Sequence, residues 1–136
     1  MKPNFGCPVQ GTINTLSGKW KVVAVWHLGF GPKRFAALRK LLPGISEKVL
    51  TSQLRQLEAD GIVSRQVRYA SPPQVTYSLT AAGEELLEPM SLLCHWGTRH
   101  LGIPSSLPRN PKRPVTLPRR AASETNQARH AHAAGT

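Results

Sequence analysis

The chain has 136 residues, enough for one domain and a tail, and 18 Lys and Arg against 7 Asp and Glu give it a net charge of +11. That balance favours a polyanionic partner, and with so few acids and no Gly-rich phosphate loop, paired-carboxylate site or Ser/His/Asp set, an enzyme reading does poorly and none is expected. Cys7 and Cys94 are the two cysteines, with no CxxC or Cys/His ligand spacing, so neither a metal site nor a cofactor is expected. No apolar run is long enough to span a bilayer and the N-terminus lacks an apolar signal core, so a cytoplasmic protein without a membrane partner is expected.

Val9 to Leu16 is the first helical candidate, with Val9, Ile13 and Leu16 on one face and Gly18 as its break. Trp20 to Leu28 (WKVVAVWHL) is dense in apolar residues and reads as a buried helix between Gly18 and Gly29. Arg34 to Leu42 spaces Phe35, Leu38, Leu41 and Leu42 helically, and Pro43-Gly44 ends it. Lys19 and Lys21 open the second of these helices, Lys33 and Arg34 the third. Basic residues there lie beside the amides of helix N-termini, where a phosphate is favoured.

Ile45 to Asp60 (ISEKVLTSQLRQLEAD) is the stretch the others serve. Leu50, Leu54 and Leu57 form one apolar stripe, Ser46 is the expected cap and Gly61 the stop. The opposite face carries Lys48, Thr51, Ser52 and Arg55, two positive heads with small hydroxyls between them, suited to phosphates and base edges. An ordinary solvated basic face is the competing explanation for this helix taken alone. Together with the preceding helix and its Pro-Gly turn it makes a helix-turn-helix.

Ile62 to Val67 and Val75 to Leu79 alternate as half-buried strands. The loop RYASPPQ (68–74) joins them into a hairpin wing, and Arg65, Arg68 and Tyr69 in or beside it are candidate contacts to a minor groove or phosphates. Thr80 opens the last helix, whose apolar residues Leu86, Leu87, Met90, Leu93, Cys94, Trp96 and Leu101 cover too many faces for a solitary surface element. Pro89 should kink it or cost it a hydrogen bond. Packing against a second copy, together with the first helix, would bury Ile13, Leu16, Leu86, Met90 and Leu93.

Composition changes near Pro104. Residues 104–136 hold five of the twelve prolines, and six Arg or Lys against one acid give a net +5, so this segment is expected to be a basic disordered tail. Residues 1–103 form the domain and carry the remaining +6. The fold class expected is mainly α with a small β-hairpin wing, a winged helix-turn-helix dimerising through its first and last helices.

The order Cys7-Pro8-Val9, Gly18-Lys19-Trp20, Gly31-Pro32-Lys33-Arg34-Phe35, Leu42-Pro43-Gly44-Ile45-Ser46, Leu50-Thr51, Leu57-Glu58, Asp60-Gly61, Pro72-Pro73, Tyr77-Ser78-Leu79-Thr80, Gly83 and Trp96-Gly97 resembles the HxlR-type winged helix-turn-helix transcriptional regulators over Cys7 to Gly97. The resemblance implies a homodimer on double-stranded DNA, related in fold to MarR-type proteins, with helix 46–60 in the major groove and wing 68–74 on the adjacent minor groove or backbone. Gln74 and Thr76 depart from the family's usual Arg and Glu, which removes one wing charge. The expected DNA contacts are Lys19, Lys33, Arg34, Ser46, Lys48, Thr51, Ser52, Arg55, Arg65, Arg68 and Tyr69. Some relatives sense redox or carbonyl signals through a cysteine at the place of Cys7, which makes it the candidate sensor; the alternative is an inert residue packing the helix start. MarR-type relatives also hold small molecules beside the last helix, but no residue here identifies such a ligand. Two other functions fit the composition, a nonspecific nucleic-acid-associated protein and a winged-helix protein-interaction module.

Overall fold

A computed structural model of the chain describes residues 6–105. The expected tail, beyond its first two residues, lies outside them. The elements run α1 (Pro8–Thr15), α2 (Lys21–Leu28), β1 (Lys33–Arg34), α3 (Phe35–Lys40), α4 (Glu47–Ala59), β2 (Val63–Arg68), β3 (Gln74–Leu79), α5 (Ala81–Glu85) and α6 (Leu87–Leu101). The fold class agrees with expectation: helices dominate, and a small antiparallel sheet supplies the wing.

The core gathers apolar side chains from α2, α3, α4, the sheet and α6. Ala24, Val25 and Leu28 of α2 meet Leu38 and Leu42 at α3, Leu50, Leu54 and Leu57 of α4, and Ile62, Val63 and Tyr77 of the sheet. Leu87 and Met90 of α6 close it. Full burial of a leucine side chain stabilises by about 1.5–3 kcal/mol, so these side chains fix how α4 is presented.

Local chemistry sets both ends of α4. The Ser46 hydroxyl accepts a hydrogen bond from the Val49 amide at 3.1 Å. At the other end Gly61 takes φ +75°, a left-handed conformation that costs glycine little. There the Gly61 amide donates to the Glu58 carbonyl at 3.0 Å and the Ile62 amide to that of Leu57 at 2.9 Å. This pair of bonds is the Schellman arrangement, and its apolar partners Ile62 and Leu57 are both buried.

The sheet differs from expectation. It has three strands in the order β1-β3-β2, all antiparallel. Lys33 and Arg34, expected to open the third helix, form the added edge strand, pairing with Tyr77 and Thr76 of β3. Pairing across a turn and some forty residues decides this, and no local periodicity signals a two-residue strand.

The last helix is also divided. Thr80 caps α5 by accepting from the Gly83 amide at 3.1 Å, while its own hydroxyl donates to the Gly61 carbonyl at 2.6 Å. That one side chain ties the end of α4 to the start of α5. The run breaks at Leu86. Pro89 lacks the amide that would bond the Glu85 carbonyl, and its ring crowds that carbonyl, so the expected cost of a hydrogen bond falls beside this break.

Candidate nucleic-acid interface

Helix α4 turns its three leucines inward and exposes Lys48, Ser52 and Arg55. Thr51 is half-buried, and its hydroxyl donates to the Glu47 carbonyl one turn back at 2.8 Å. Its oxygen can still accept. Ser46 is exposed but committed as the helix cap. Arg39 of α3 lies 3.9 Å from the Glu47 carboxylate and donates through Nε to the Ile45 carbonyl at 3.5 Å. An ion pair this exposed adds little stability, but it joins α3 to the entry of α4.

Strand register sorts the basic residues of the wing into two rows. Successive side chains on a strand alternate faces, and directly paired residues share one. Arg34 pairs with Thr76, and Arg68 with Gln74, so both arginines share a face with Gln74. Arg34 Nη2 donates to Gln74 Oε1 at 2.9 Å. Gln74, which looked in the sequence like a lost wing charge, thus orients a neighbouring arginine. Lys33 and Arg65 both pair with Tyr77 and fall on the opposite face, the one that packs on the core, with Arg65 still exposed. Tyr69, just past β2, is 92% exposed and makes the wing's most prominent apolar surface.

The second helix corrects an expectation. Lys21 is only 6% exposed, and its ammonium donates to the Thr15 carbonyl at 3.4 Å, at the end of α1. It serves the α1–α2 junction rather than an outside anion. Lys19 stays exposed, with its ammonium 4.7 Å from the centre of the Trp20 ring.

The residues expected to meet a second copy separate into two sets. Met90 is 6% exposed within its own protomer's core, and Leu16 and Leu86 pack on that core. They are used inside the protomer. Ile13 on α1 and Leu93 on α6 are 63% and 68% exposed, and Val9 on α1 and Trp96 and Leu101 on α6 are exposed as well, a distinction from the core that periodicity alone does not make. Cys94, expected on the apolar side, is exposed, with Sγ 3.7 Å from Ser105 Oγ.

Cys7 is exposed at the N-terminus of α1. The amides of Gln10 and Val9 lower its thiol below the ordinary range. A thiolate at a helix N-terminus gains from that partial positive charge. Among the described residues no group of three or more His, Cys, Asp or Glu could hold a metal, and no helix is long and apolar enough to cross a membrane.

A helix-turn-helix with a leucine-backed polar α4, followed by a wing, is the arrangement of DNA-binding regulators. Residues 15–104 match the HxlR-like helix-turn-helix family. The chain belongs to that family. Its relatives include the HTH-type transcriptional regulator YybR of Bacillus subtilis (strain 168), 48% identical over 93 residues, which covers 68% of this chain and 74% of YybR. The crystal structure of an HTH-type regulator, ytcD, superimposes with a TM-score of 0.67 at 41% identity, over 71% of this chain and 99% of that one. The redox regulator HypR in its oxidized form gives 0.64 at 44% identity, over 69% of this chain and 97% of HypR. This HxlR-type chain is therefore a DNA-binding transcriptional regulator.

Proposed function

We propose that this HxlR-type chain regulates transcription as a homodimer, with the two copies of α4 in successive major grooves and the 68–74 wings on the adjacent minor grooves or backbone. The exposed line of Lys48, Ser52 and Arg55, backed by three fully buried leucines, carries the reading. Lys19, Lys33, Arg34 and Arg68 are the phosphate contacts that position it, and Arg65 and Tyr69 border the wing. Ser46, whose hydroxyl accepts from the Val49 amide, keeps its hydrogen to donate to a phosphate, whereas Thr51, whose hydroxyl donates to the Glu47 carbonyl, contacts DNA as an acceptor. Ile13 and Leu93, exposed on the two terminal helices, support the dimer contact. Two-fold symmetry then spaces the recognition helices about 34 Å apart, one duplex turn.

A thiol switch at Cys7 is favoured by its exposure, its lowered pKa and the name redox regulator carried by HypR. Selecting bound duplexes from a random pool, with reduced and with peroxide-treated protein, tests both parts. A pseudo-palindrome with half-sites one turn apart is expected, with affinity changed by peroxide in the wild type and not in Cys7→Ser. Selection that returns no sequence rules out the regulator. Equal peroxide responses in both proteins rule out the switch.

A further inference from the structure

The outward side of α4 has two flanks, and they differ in charge. At about 100° per residue, Lys48, Ser52, Arg55 and Ala59 fall opposite the buried leucines. Glu47, Thr51 and Glu58 lie on one flank, Val49 and Gln56 on the other. Two carboxylates make the first flank repel phosphates, whereas the second carries no charge. Val49 is 40% exposed, an apolar surface in the first turn of the helix that the protomer does not bury. Gln56 is exposed two turns further on, and its Nε2 donates to Ser52 Oγ at 3.4 Å. That bond steadies the amide and leaves Oε1 and one N–H to face outward.

We propose that Val49 and Gln56 set the sequence this chain selects, Gln56 reading an adenine and Val49 packing on a thymine methyl. The assignment rests on the major-groove placement of α4 argued above. Adenine sets an acceptor, N7, beside a donor, the N6 amino group, and a carboxamide offers the matching pair. Guanine offers two acceptors there, which would turn Gln56 Oε1 against a lone pair. Thymine is the base that adds a methyl to the groove, and a branched aliphatic side chain gains by covering it. Seven residues along the helix is about 10.5 Å, so the two A·T pairs lie about three base pairs apart. Lys48 and Arg55, on the neighbouring ridge, face the same half-site.

The test uses the full chain and the duplex it selects from a random pool. Replacing the adenine under Gln56 with 7-deazaadenine, which lacks N7, is expected to weaken wild-type binding about 5-fold or more and to leave Gln56→Ala unaffected. Replacing the thymine under Val49 with uracil, which lacks the methyl, is expected to cost the wild type about 2- to 4-fold and Val49→Ser nothing. Both side chains are exposed, and circular dichroism of each variant confirms that it is folded. A selected site without A·T pairs at this spacing overturns the proposal. So does a variant that responds to the modified base as the wild type does, while the regulator reading survives either result. A pool from which no sequence emerges overturns both.

Discussion

Helices α4 and α6 have similar inner sides and different outer ones. Both bury aliphatic residues in the same core, Leu50, Leu54 and Leu57 from α4 and Leu87 and Met90 from α6. Outward, α4 offers Lys48, Ser52 and Arg55, whereas α6 offers Leu93, Trp96 and Leu101. A charged, hydroxyl-bearing face suits a solvated polyanion whose counterions it displaces. An apolar face of that size calls for a protein surface that excludes water. On the proposed function, one small domain divides its two contacts between two helices, with a shared core between them.

The largest effect is expected where the comparison is broken from the inside. Leu54→Ala empties a fully buried position beneath the recognition face and should lower stability by about 2–5 kcal/mol, measured by urea unfolding. Next is Leu93→Asp on the outer side of α6. It should halve the mass in sedimentation equilibrium and weaken operator binding by about tenfold or more, while thermal unfolding of the subunit still shows a cooperative transition. Unchanged mass would remove Leu93 from the contact between copies.

Substitutions on α4 and the sheet sharpen the contrast at smaller magnitude. Arg55→Ala should lose about 1–3 kcal/mol on the selected duplex and much less on random duplex, whereas Lys33→Ala should weaken both alike and reduce the salt dependence. Equal losses on both duplexes for Arg55→Ala would leave it a phosphate contact only.

The smallest effect concerns His27, buried in the last turn of α2. Burial, then the nearby Lys33 charge, holds its pKa below the ordinary 6.5. The unfolded chain therefore takes up this proton first as pH falls. Stability from the neutral ring is complete above about pH 6.5 and is lost below it, down through the folded value. Chemical denaturation between pH 7.5 and 5 should show that loss in the wild type and a flatter profile in His27→Gln.

Local signals made α4 legible in the sequence. Its leucine stripe, Ser46 cap and Gly61 stop each act within a few residues, and all three appear where they were expected. The wing's outline was legible for the same reason, since period-two alternation marks β2 and β3. Strand β1 was not, because Lys33 and Arg34 become a strand only through β3, and that pairing also sets which face each takes. Periodicity showed that α6 is apolar on several sides without showing which side its own protomer uses. Hence Met90 and Leu86 looked equivalent to Leu93 until the core was seen to take them. Lys21 was missed similarly. Its partner is a carbonyl at the end of α1, and charge alone does not reveal that a lysine is buried.

Native mass spectrometry of the full chain on its selected duplex tests the central claim most directly. The account predicts two protomers per duplex, retained when the half-sites are one helical turn apart and lost when five base pairs are inserted between them. A single protomer bound equally to selected and scrambled duplexes would contradict it.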